Sequence, residues 1–538
     1  MMTKDLLWWQ RGIIYQIYPR SFMDSNGDGV GDLAGITSKL DYLAWLGIDA
    51  IWLSPISPSP MVDFGYDVAD YTGIDPTFGT LDDFDALLRE AHRHEIRVIF
   101  DFVPNHSSDQ HPWFVESRSS RDNPKRDWYV WSDPRPGGGP PNNWLSSFGG
   151  SAWTWDATTE QYYFHEFFEQ QPDLNWRNPE VRQAMFNSLR FWLDRGVDGF
   201  RLDAVWHLMK DERLRDNPPN PNYLPSMTPY NRLIPAFNSD RPEMFEVLRQ
   251  MREVADEYDE RLLIGELYLP IERLVAYYGP DGDILHLPHN FHLMRQTWDA
   301  LHIGAVIDFY EGRLPNFAWP NWVMSNHDNP RLASRIGAGQ ARVAAMMLLT
   351  LRGTPTLYYA DELGMLDVAI PSELIQDPEE HTIPGLHLGR DPERTPMQWD
   401  ASPNAGFTSG TPWLPVGDDY STLNVVAQRD DPRSMLTMQQ RLITLRRAEP
   451  ALITGGYAPL RTDGDLLAYT RELDGAAFLI VLNLGHDAQE FAPPSHAGQG
   501  RMVLNTHLDR ENEPLNGQIA LRGDEGVVIR LQPPVRQA

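Results

Sequence analysis

Three carboxylates of this chain lie where short runs of apolar, β-prone residues end. They are Asp203, Glu266 and Asp328, which close the sequences Gly-Phe-Arg-Leu-Asp, Leu-Ile-Gly-Glu and Met-Ser-Asn-His-Asp. Two carboxyl groups held about 5–5.5 Å apart can break a glycosidic bond with retention, one as nucleophile and one as the acid that protonates the leaving oxygen. The residue types therefore predict a sugar-cleaving pocket, provided that the fold brings the three segments together.

The neighbours of each acid suggest a separate task for it. Arg201 lies two residues before Asp203, and a guanidinium on the same face would hold the pKa of Asp203 down, as a nucleophile requires. Apolar neighbours of Glu266 would raise its pKa towards that of a working acid/base. Asp328, beside His327, would bind sugar hydroxyls and stabilise the transition state. Each acid taken alone could instead be a structural strand-end carboxylate paired with an arginine.

A loop near the N-terminus carries oxygen ligands at alternate positions. This pattern suits Ca²⁺, although Gly35 stands where an EF-hand would have its closing glutamate. The alternative is a metal-free loop closed by Asx turns. The distance of the loop from the acids in sequence predicts a structural role for the metal. The candidate ligands are Asp24, Asn26, Asp28, Val30 (through its carbonyl) and Asp32.

Eight β-prone segments alternate with helical stretches, the pattern of βα units in a parallel sheet. Thr80-Leu-Asp-Asp resembles a capping box at the start of one helix, and Asn178-Pro predicts the start of another. In a closed barrel of such units the C-terminal ends of the strands share one mouth, where the three acids would meet. The sixth segment is the weakest, because Pro288 removes a ladder donor from a central strand. The segments are Ile13–Ile17, Ala50–Leu53, Val98–Phe102, Gly199–Asp203, Leu262–Leu267, Ile284–Asn290, Trp322–Asn326 and Thr356–Ala360.

Long insertions interrupt this repeat on the catalytic side. Pro104–Asn175 is too long for a structureless loop and predicts an inserted subdomain, whose many aromatic residues would form a core or stack against sugar rings. Shorter insertions are predicted at about His207–Arg241 and Asp361–Ser409. Beyond Pro450, short alternating strands predict an antiparallel β-sandwich. The predicted fold is α/β, a (β/α)8 TIM barrel (1–103 and 175–455) with an inserted subdomain (104–174) after strand 3 and a C-terminal β-sandwich domain (456–538).

Composition limits the partners and the setting. A net charge of −29 over 538 residues argues against nucleic acid and anionic membranes, which reward clusters of Lys and Arg. No apolar run approaches the roughly 18 residues of a spanning helix. The absence of cysteine excludes disulfides and thiolate metal sites. Because the first residues also do not have the pattern of a secretory signal, we expect a cytoplasmic location.

The ordered set of motifs resembles the α-amylase family of glycoside hydrolases, in particular its α-glucosidase and oligo-1,6-glucosidase branch. Four short segments are similar to the signature regions of that family: Asp101–His106, Gly199–Asp203, the Gly265-Glu266 pair and Ser325–Asp328. The likeness extends over nearly the whole chain. Further α-glucosidase-like stretches are Gln16–Phe22, Asp63–Asp67, Gln171–Trp176 and Arg394–Trp399.

The resemblance implies a role for each matching position. It implies Asp203 as nucleophile, Glu266 as acid/base and Asp328 as transition-state stabiliser, with a structural calcium ion and no organic cofactor. A closed end formed by Asp63 and Arg394 would restrict the enzyme to terminal glucose. The residues implied to grip that glucose are Asp63, Tyr66, His106, Arg201, His327 and Arg394, with Phe148, Phe167 and Gln171 lining the pocket.

The implied activity is that of an exo-acting retaining α-glucosidase acting on small α-glucosides, with possible transglucosylation. In this branch a valine after the nucleophile accompanies α-1,6 specificity, so Ala204 favours α-1,4 substrates. The following Val205-Trp-His-Leu departs from the commoner Ile-Asn-Phe pattern and leaves the acceptor subsite open. The alternatives are an oligo-1,6-glucosidase, a trehalose synthase, which shares a stretch similar to Ser107–Trp113, and a non-catalytic protein like the transporter heavy chains.

Overall fold

The computed structural model describes residues 6–383, 385–494, 497 and 499–532. Eight parallel strands form one sheet in the order β10-β11-β1-β2-β3-β7-β8-β9. The strands of the chain are β1 Ile14–Ile17, β2 Ala50–Leu53, β3 Arg97–Phe102, β4 Trp131–Ser132, β5 Trp153–Asp156, β6 Gln161–Phe164, β7 Gly199–Leu202, β8 Leu262–Gly265, β9 Leu287–Pro288, β10 Asn321–Val323, β11 Thr354–Tyr358, β12 Gly456–Leu460, β13 Leu466–Leu473, β14 Ala476–Asn483, β15 Gln489–Phe491, β16 Gln499–Asn505, β17 Pro514–Asn516, β18 Ile519–Leu521 and β19 Gly526–Leu531.

The sheet curls into a nearly closed barrel, and the eight predicted segments are confirmed within a few residues. The barrel strands are buried along their whole length, apart from the first residue of β3, as expected when helices cover a parallel sheet. The two ends of the sheet meet where the Val323 N–H donates to the Asn290 carbonyl at 3.4 Å. The sixth strand, β9, is only two residues long and contains Pro288, as its missing donor predicts.

Helices alternate with the barrel strands, and their ends follow the sequence signals. Thr80 and Asp83 form a capping box at the start of α5, and the Asn178 side chain caps α7 before Pro179. The helices are α1 Trp8–Arg11, α2 Pro19–Phe22, α3 Leu33–Ser38, α4 Leu40–Leu46, α5 Leu81–Arg93, α6 Pro112–Ser119, α7 Pro179–Arg195, α8 Met244–Ala255, α9 Ile271–Ala276, α10 Ala300–Glu311, α11 Leu332–Ile336, α12 Ala338–Thr350, α13 Glu379–Thr382, α14 Val425–Asp430, α15 Met435–Ala448 and α16 Pro450–Ile453.

The segment between β3 and β7 folds around its own small sheet. Strands β4, β6 and β5 pair antiparallel in that order, and α6 precedes them. Trp144, Trp153 and Phe164 are buried together, so these aromatic residues form a core. Phe148 and Phe167 instead face the pocket described below. The insertion therefore divides its aromatic residues between a core and a wall of the pocket.

The C-terminal part of the chain consists of antiparallel sheets. Strands β12, β13, β14, β19, β16 and β17 form a six-stranded sheet, and β15 pairs with β18. Arg446 of α15 and Arg471 of β13 are both buried, and each donates to the Leu452 carbonyl, at 2.8 and 3.1 Å. These two side chains join the sheet to the end of the barrel domain. Within the described ranges, none of the helices has the length and apolarity that a bilayer crossing requires.

Candidate active site

A cavity of about 630 Å³ opens at the C-terminal ends of the barrel strands. All three predicted catalytic acids line it, as do six of the nine predicted substrate-binding residues. Gln171, Arg201 and Arg394 are buried and contact the lining side chains from behind. The predicted residues on its wall are Asp63, Tyr66, His106, Phe148, Phe167, Asp203, Glu266, His327 and Asp328.

The barrel ladder holds two of the acids directly. The Asp203 N–H, just after β7, donates to the Phe102 carbonyl at 2.9 Å, and the Glu266 N–H, just after β8, donates to the Leu202 carbonyl at 3.0 Å. Asp328 follows β10 by a few residues, and its N–H donates to the Asn326 side chain at 3.1 Å. Rigid strands therefore fix the first two acids, whereas a local turn positions the third.

One guanidinium binds three carboxyl groups at the floor of the cavity. Arg201 Nη1 lies 2.7 Å from Asp203 and 3.0 Å from Asp101, and Nη2 lies 2.9 Å from Glu266. Both Arg201 and Asp101 are buried, and the Tyr66 hydroxyl donates to Asp101 at 3.1 Å. Arg201 therefore holds the two proposed reacting carboxyl groups side by side.

The prediction that Arg201 lowers the pKa of Asp203 below its ordinary value is wrong in its net direction. Burial raises the pKa of Asp203 well above that value, the neighbouring Glu266 raises it further, and Arg201 offsets only part of the rise. Burial also raises the pKa of Glu266, as its apolar surroundings predict, against the charge of Arg201. Because a single guanidinium faces three carboxyl groups, burial and mutual repulsion favour a protonated form of the Asp203–Glu266 pair. One ionised and one protonated carboxyl group are what a retaining mechanism needs.

Asp328 has the opposite electrostatic environment. Although desolvation acts to raise it, His327, Arg390 and Arg394 together lower the pKa of Asp328 to about 2. Arg394 and Arg390 lie 3.1 and 3.4 Å from its carboxylate. His327 lies 3.4 Å away, but burial lowers the pKa of His327 to about 3, so this ring is uncharged at neutral pH. At neutral pH the charge that keeps Asp328 ionised therefore comes from the two arginines.

One end of the cavity is closed by an ion pair between Asp63 and Arg390, at 2.8 Å. Arg394, which was predicted to form the closed end with Asp63, donates from Nε to the His327 carbonyl at 2.7 Å. Gln171 donates to the second oxygen of Asp63 at 3.0 Å. Buried and fully paired side chains therefore form this end of the cavity, which we call the closed end.

Sequence reasoning missed Arg390 and the acids that hold it. Asp377 accepts from Arg390 Nε and Nη2 at 2.7 and 3.0 Å, and Glu379 lies 3.2 Å from Nε. These residues lie in the irregular segment after β11, where periodicity gives no signal. The only available signal was the spacing of Arg390, four residues before Arg394 in Gly-Arg-Asp-Pro-Glu-Arg.

The opposite part of the cavity, which we call the open end, is lined by half-buried aromatic and aliphatic side chains. The Trp206 and Tyr268 rings meet edge to face at 5.7 Å, and the exposed Arg295 lies 4.3 Å from the centre of the Tyr268 ring. Burial keeps the nearby His207 neutral by lowering its pKa well below the ordinary range. The residues of the open end are Trp206, Tyr230, Asn231, Leu233, Pro235, Tyr268, Leu269 and Arg295.

Ala204, between the two reacting acids in space, has a strained backbone. Its φ is +46°, and its N–H donates to Glu266 at 2.9 Å. This left-handed conformation strongly disfavours β-branched side chains. A small side chain at position 204 is therefore compatible with the backbone conformation in which its N–H donates to Glu266.

The predicted metal loop lies outside the pocket lining, and its carboxylates accept hydrogen bonds from the chain itself. Asp24 accepts from the N–H groups of Asn26 and Gly27 at 2.9 and 2.8 Å, and Asp32 accepts from Gly35 at 2.6 Å. Among the described residues, no three His, Asp or Glu side chains form a group that could hold a metal ion. Calcium binding by this loop therefore stays a prediction.

Comparison with known proteins gives the context of this site. The family model for the alpha amylase catalytic domain matches residues 16–455. A protein of Rhizobium meliloti (strain 1021) named "Probable alpha-glucosidase" is 44% identical over 91% of each chain. The crystal structure of the alpha-glucosyl transfer enzyme XgtA has a TM-score of 0.93 and 42% identity, covering 98% of this chain and 100% of that one.

A human transporter subunit is also similar to this chain. The amino acid transporter heavy chain SLC3A1 of Homo sapiens is 41% identical over 90% of this chain and 72% of its own length. The match of the family model to most of the chain, together with this barrel and its three acids, shows that the protein belongs to the α-amylase family of glycoside hydrolases.

Proposed function

We propose that this protein is an exo-acting retaining α-glucosidase that removes terminal glucose from short α-glucosides. The observation that carries the proposal is the binding of Asp203 and Glu266 to the same guanidinium, beside an end of the cavity closed by Asp63 and Arg390. A closed end admits a chain terminus and excludes the middle of a polysaccharide. The neighbouring carboxyl pair supplies a nucleophile and an acid.

In the first step, Asp203 attacks the anomeric carbon of the terminal glucose while protonated Glu266 gives its proton to the leaving oxygen. Asp328, kept ionised by Arg390 and Arg394, stabilises the positive charge that develops on the sugar ring. In the second step, ionised Glu266 takes a proton from water, which attacks the same carbon and releases Asp203. A sugar hydroxyl in place of water would give transglucosylation.

Neutral histidines and buried polar groups suit recognition of an uncharged sugar. Burial lowers the pKa of His106 to about 4, and its Nε2 lies 3.1 Å from the Tyr66 carbonyl, so that nitrogen carries the proton. The site then offers fixed donors and acceptors for the glucose hydroxyls at its closed end. Such a site rejects analogues that lack a hydroxyl group, because its buried partners would be left unpaired.

Incubation with maltose, isomaltose and sucrose, followed by NMR during the first minutes, tests the activity. We expect α-glucose as the first product, because two displacements retain the anomeric configuration. Initial release of β-glucose would overturn the retaining mechanism. Ala204 supports faster cleavage of maltose than of isomaltose, and the reverse order would favour an oligo-1,6-glucosidase.

Trehalose synthase is the second candidate, on the stretch Ser107–Trp113. Trehalose as the major early product from maltose would establish that isomerase in place of the hydrolase. A third outcome, no turnover of any α-glucoside by a folded protein, would support a non-catalytic role like that of the transporter heavy chain. The presence of all three acids in the pocket argues against that outcome.

We also propose that the loop from Asp24 to Asp32 binds a structural Ca²⁺. The alternate oxygen ligands support this proposal, as does the packing of the loop on a distant segment through the hydrogen bond from Trp413 N–H to the Gly29 carbonyl, at 2.9 Å. Thermal unfolding in Ca²⁺ and in a chelator would test it. A ligand that binds only the folded state raises the melting temperature. Equal melting temperatures in Ca²⁺ and in chelator would contradict calcium binding.

A further inference from the structure

A buried carboxyl group behind the pocket joins two insertions that follow different barrel strands. Glu166 is fully buried, just after β6 in the insertion between β3 and β7. Its Oε1 accepts from the Tyr230 hydroxyl at 2.9 Å and from the Ser147 hydroxyl at 3.1 Å, and its Oε2 accepts from the Asn238 amide at 2.8 Å. Tyr230 and Asn238 belong to the segment between β7 and α8. Glu166 therefore connects this segment to the subdomain.

The backbone behind Glu166 is itself anchored by buried polar groups. The Glu166 N–H donates to Asp173 at 2.7 Å, and Asp173 also accepts from the Lys210 ammonium and from Asn105 at 2.9 Å. Burial and the neighbouring Asp173 raise the pKa of Glu166 to about 8. An amide at this position, with its oxygen facing Asn238 and its NH2 group facing the Tyr230 and Ser147 hydroxyl groups, can still hydrogen-bond all three partners.

Two partners of Glu166 form part of the pocket wall, whereas Glu166 itself does not. Ser147 and Tyr230 line the cavity, as does Asn231, the residue after Tyr230. Tyr230 and Asn231 belong to the open end. A glucose ring that fills the closed end directs its leaving group towards the open end, so the segment held by Glu166 borders the leaving group or acceptor.

We propose that Glu166 is a positioning residue for the leaving-group side of the pocket, fixing Tyr230 and the segment that carries it so that the second sugar of a donor, or an acceptor sugar, is bound. This assignment rests on the proposed α-glucosidase function. It predicts that loss of the hydrogen bonds of Glu166 weakens recognition of the leaving sugar and leaves recognition of the glucosyl group unchanged.

Three variants of the full chain separate these effects. Glu166→Met keeps the length of the side chain without its hydrogen bonds, Glu166→Gln keeps hydrogen bonding, and Tyr230→Phe removes one hydroxyl group. We expect Glu166→Met, which loses all three hydrogen bonds and leaves their donors unpaired, to raise KM for maltose about tenfold and to lower transfer to added glucose relative to hydrolysis. Glu166→Gln should keep KM and the ratio of transfer to hydrolysis close to those of the wild type. Tyr230→Phe should change both in the same direction as Glu166→Met, but by less. Tyr223→Phe, in the same segment but outside the pocket lining, is the matched control.

A second measurement distinguishes positioning from a general structural defect. It is the inhibition constant of 1-deoxynojirimycin, a glucose-shaped amine that occupies only the glucosyl subsite, which a general defect would also change. It should stay the same in all variants. An inhibition constant that rises by the same factor as the KM for maltose would overturn the assignment, as would an unchanged KM in both Glu166→Met and Tyr230→Phe. If Glu166→Met does not fold, Tyr230→Phe decides alone. A wild type that cleaves no α-glucoside would overturn the proposed function, and this assignment with it.

Discussion

The closed and open ends of the cavity are built from different interactions. At the closed end Asp63, Arg390 and Asp377 form a buried chain of ion pairs at 2.7–2.8 Å, completed by Gln171. At the open end, half-buried aromatic and aliphatic side chains meet through ring contacts such as Trp206 with Tyr268. The closed end can recognise one sugar through fixed polar partners, whereas the open end offers surface without a comparable set of fixed charges.

This difference shows how one pocket can be strict for one half of its substrate and tolerant for the other. Buried polar groups discriminate strongly, because a mismatched ligand leaves them unpaired. Contacts with aromatic rings contribute binding energy with little directional demand. We therefore expect changes at the closed end to affect every glucoside equally, and changes at the open end to depend on the leaving group.

Removal of the nucleophile should have the largest effect and should not distinguish the two ends. Asp203→Ala should lower kcat by at least about 10⁴-fold for every substrate, because both chemical steps pass through this carboxylate. The measurement is kcat on maltose and on an aryl α-glucoside, with thermal unfolding to verify the fold. Asp122→Asn, at an exposed acid, serves as the control. Retention of more than a hundredth of the activity would exclude Asp203 as the nucleophile.

Replacement of the acid/base Glu266 should have an effect that depends on the leaving group. Glu266→Gln should lower kcat/KM for maltose by about 10²–10⁴-fold, the usual contribution of general acid catalysis. The first step on an aryl glucoside with a good leaving group should be largely spared, because such a group departs without a proton. Pre-steady-state measurement of the aryl group released in the first turnover would show this, and equal slowing of both substrates would contradict the role.

The pH dependence follows from the direction of the same pKa shift. Protonated Glu266 is the active acid, so kcat/KM for maltose falls as the pH rises through its pKa. Because burial raises that pKa, the fall should lie above the ordinary range of a glutamate. In Glu266→Gln the alkaline limb should disappear from the residual activity, since an amide does not ionise. An unchanged alkaline limb in that variant would assign it to another group.

Loss of Arg390 should affect all glucosides by a common factor. Arg390→Met leaves buried Asp63 without its charge partner and removes one of the two arginines beside Asp328. Breaking a buried pair in this way costs about 3–5 kcal/mol, and the same free energy lost from transition-state binding corresponds to a fall of about 10²–10⁴-fold in kcat/KM. Maltose, sucrose and an aryl glucoside should fall together. A fall in kcat/KM for substrates with only one type of leaving group would contradict the proposed difference between the closed and open ends.

The smallest effect should come from the open end and should depend on the substrate. Trp206→Ala removes the ring that contacts Tyr268, an interaction worth about 0.5–1.5 kcal/mol, or a change of about twofold to tenfold. We expect KM to rise by different factors for maltose and sucrose, while 1-deoxynojirimycin binds as before. Equal factors for both substrates and the inhibitor would place Trp206 at the glucosyl subsite.

The barrel could be predicted because its determinants are local. Short apolar runs end at acids such as Asp203 and Glu266, and parallel strands bring their C-terminal ends to one mouth whatever the loops contain. Pro288 marked the sixth strand as the weakest, and that strand is the shortest of the eight barrel strands. The capping residues of α5 and α7 identified where these helices begin.

The errors at the site arose from properties that no local pattern carries. The net pKa shift of Asp203 depends on burial and on Glu266, which lies 63 residues further along the chain (266 − 203). The charge of His327 depends on how far the fold buries its ring. Whether Arg390 or Arg394 pairs with Asp63 depends on the path of the segment after β11. The spacing of the motifs predicted which residues line the cavity. Their pKa values and ion-pair partners depend on burial and on contacts between distant segments.

The two-residue strand β9 makes one side of the barrel a seam. On its β8 side, β9 has two ladder pairs and two flanking backbone hydrogen bonds, from His286 and His289, whereas on its other side one backbone hydrogen bond of 3.4 Å, among the described residues, joins Asn290 to β10. Native proteins open first where few backbone hydrogen bonds must break. Amide protons on either side of this seam should therefore exchange with solvent before those of β1 to β3, through partial opening of the barrel. Because Glu266 directly follows β8, such an opening would release the acid/base before the rest of the barrel unfolds, and activity would be lost before the global transition.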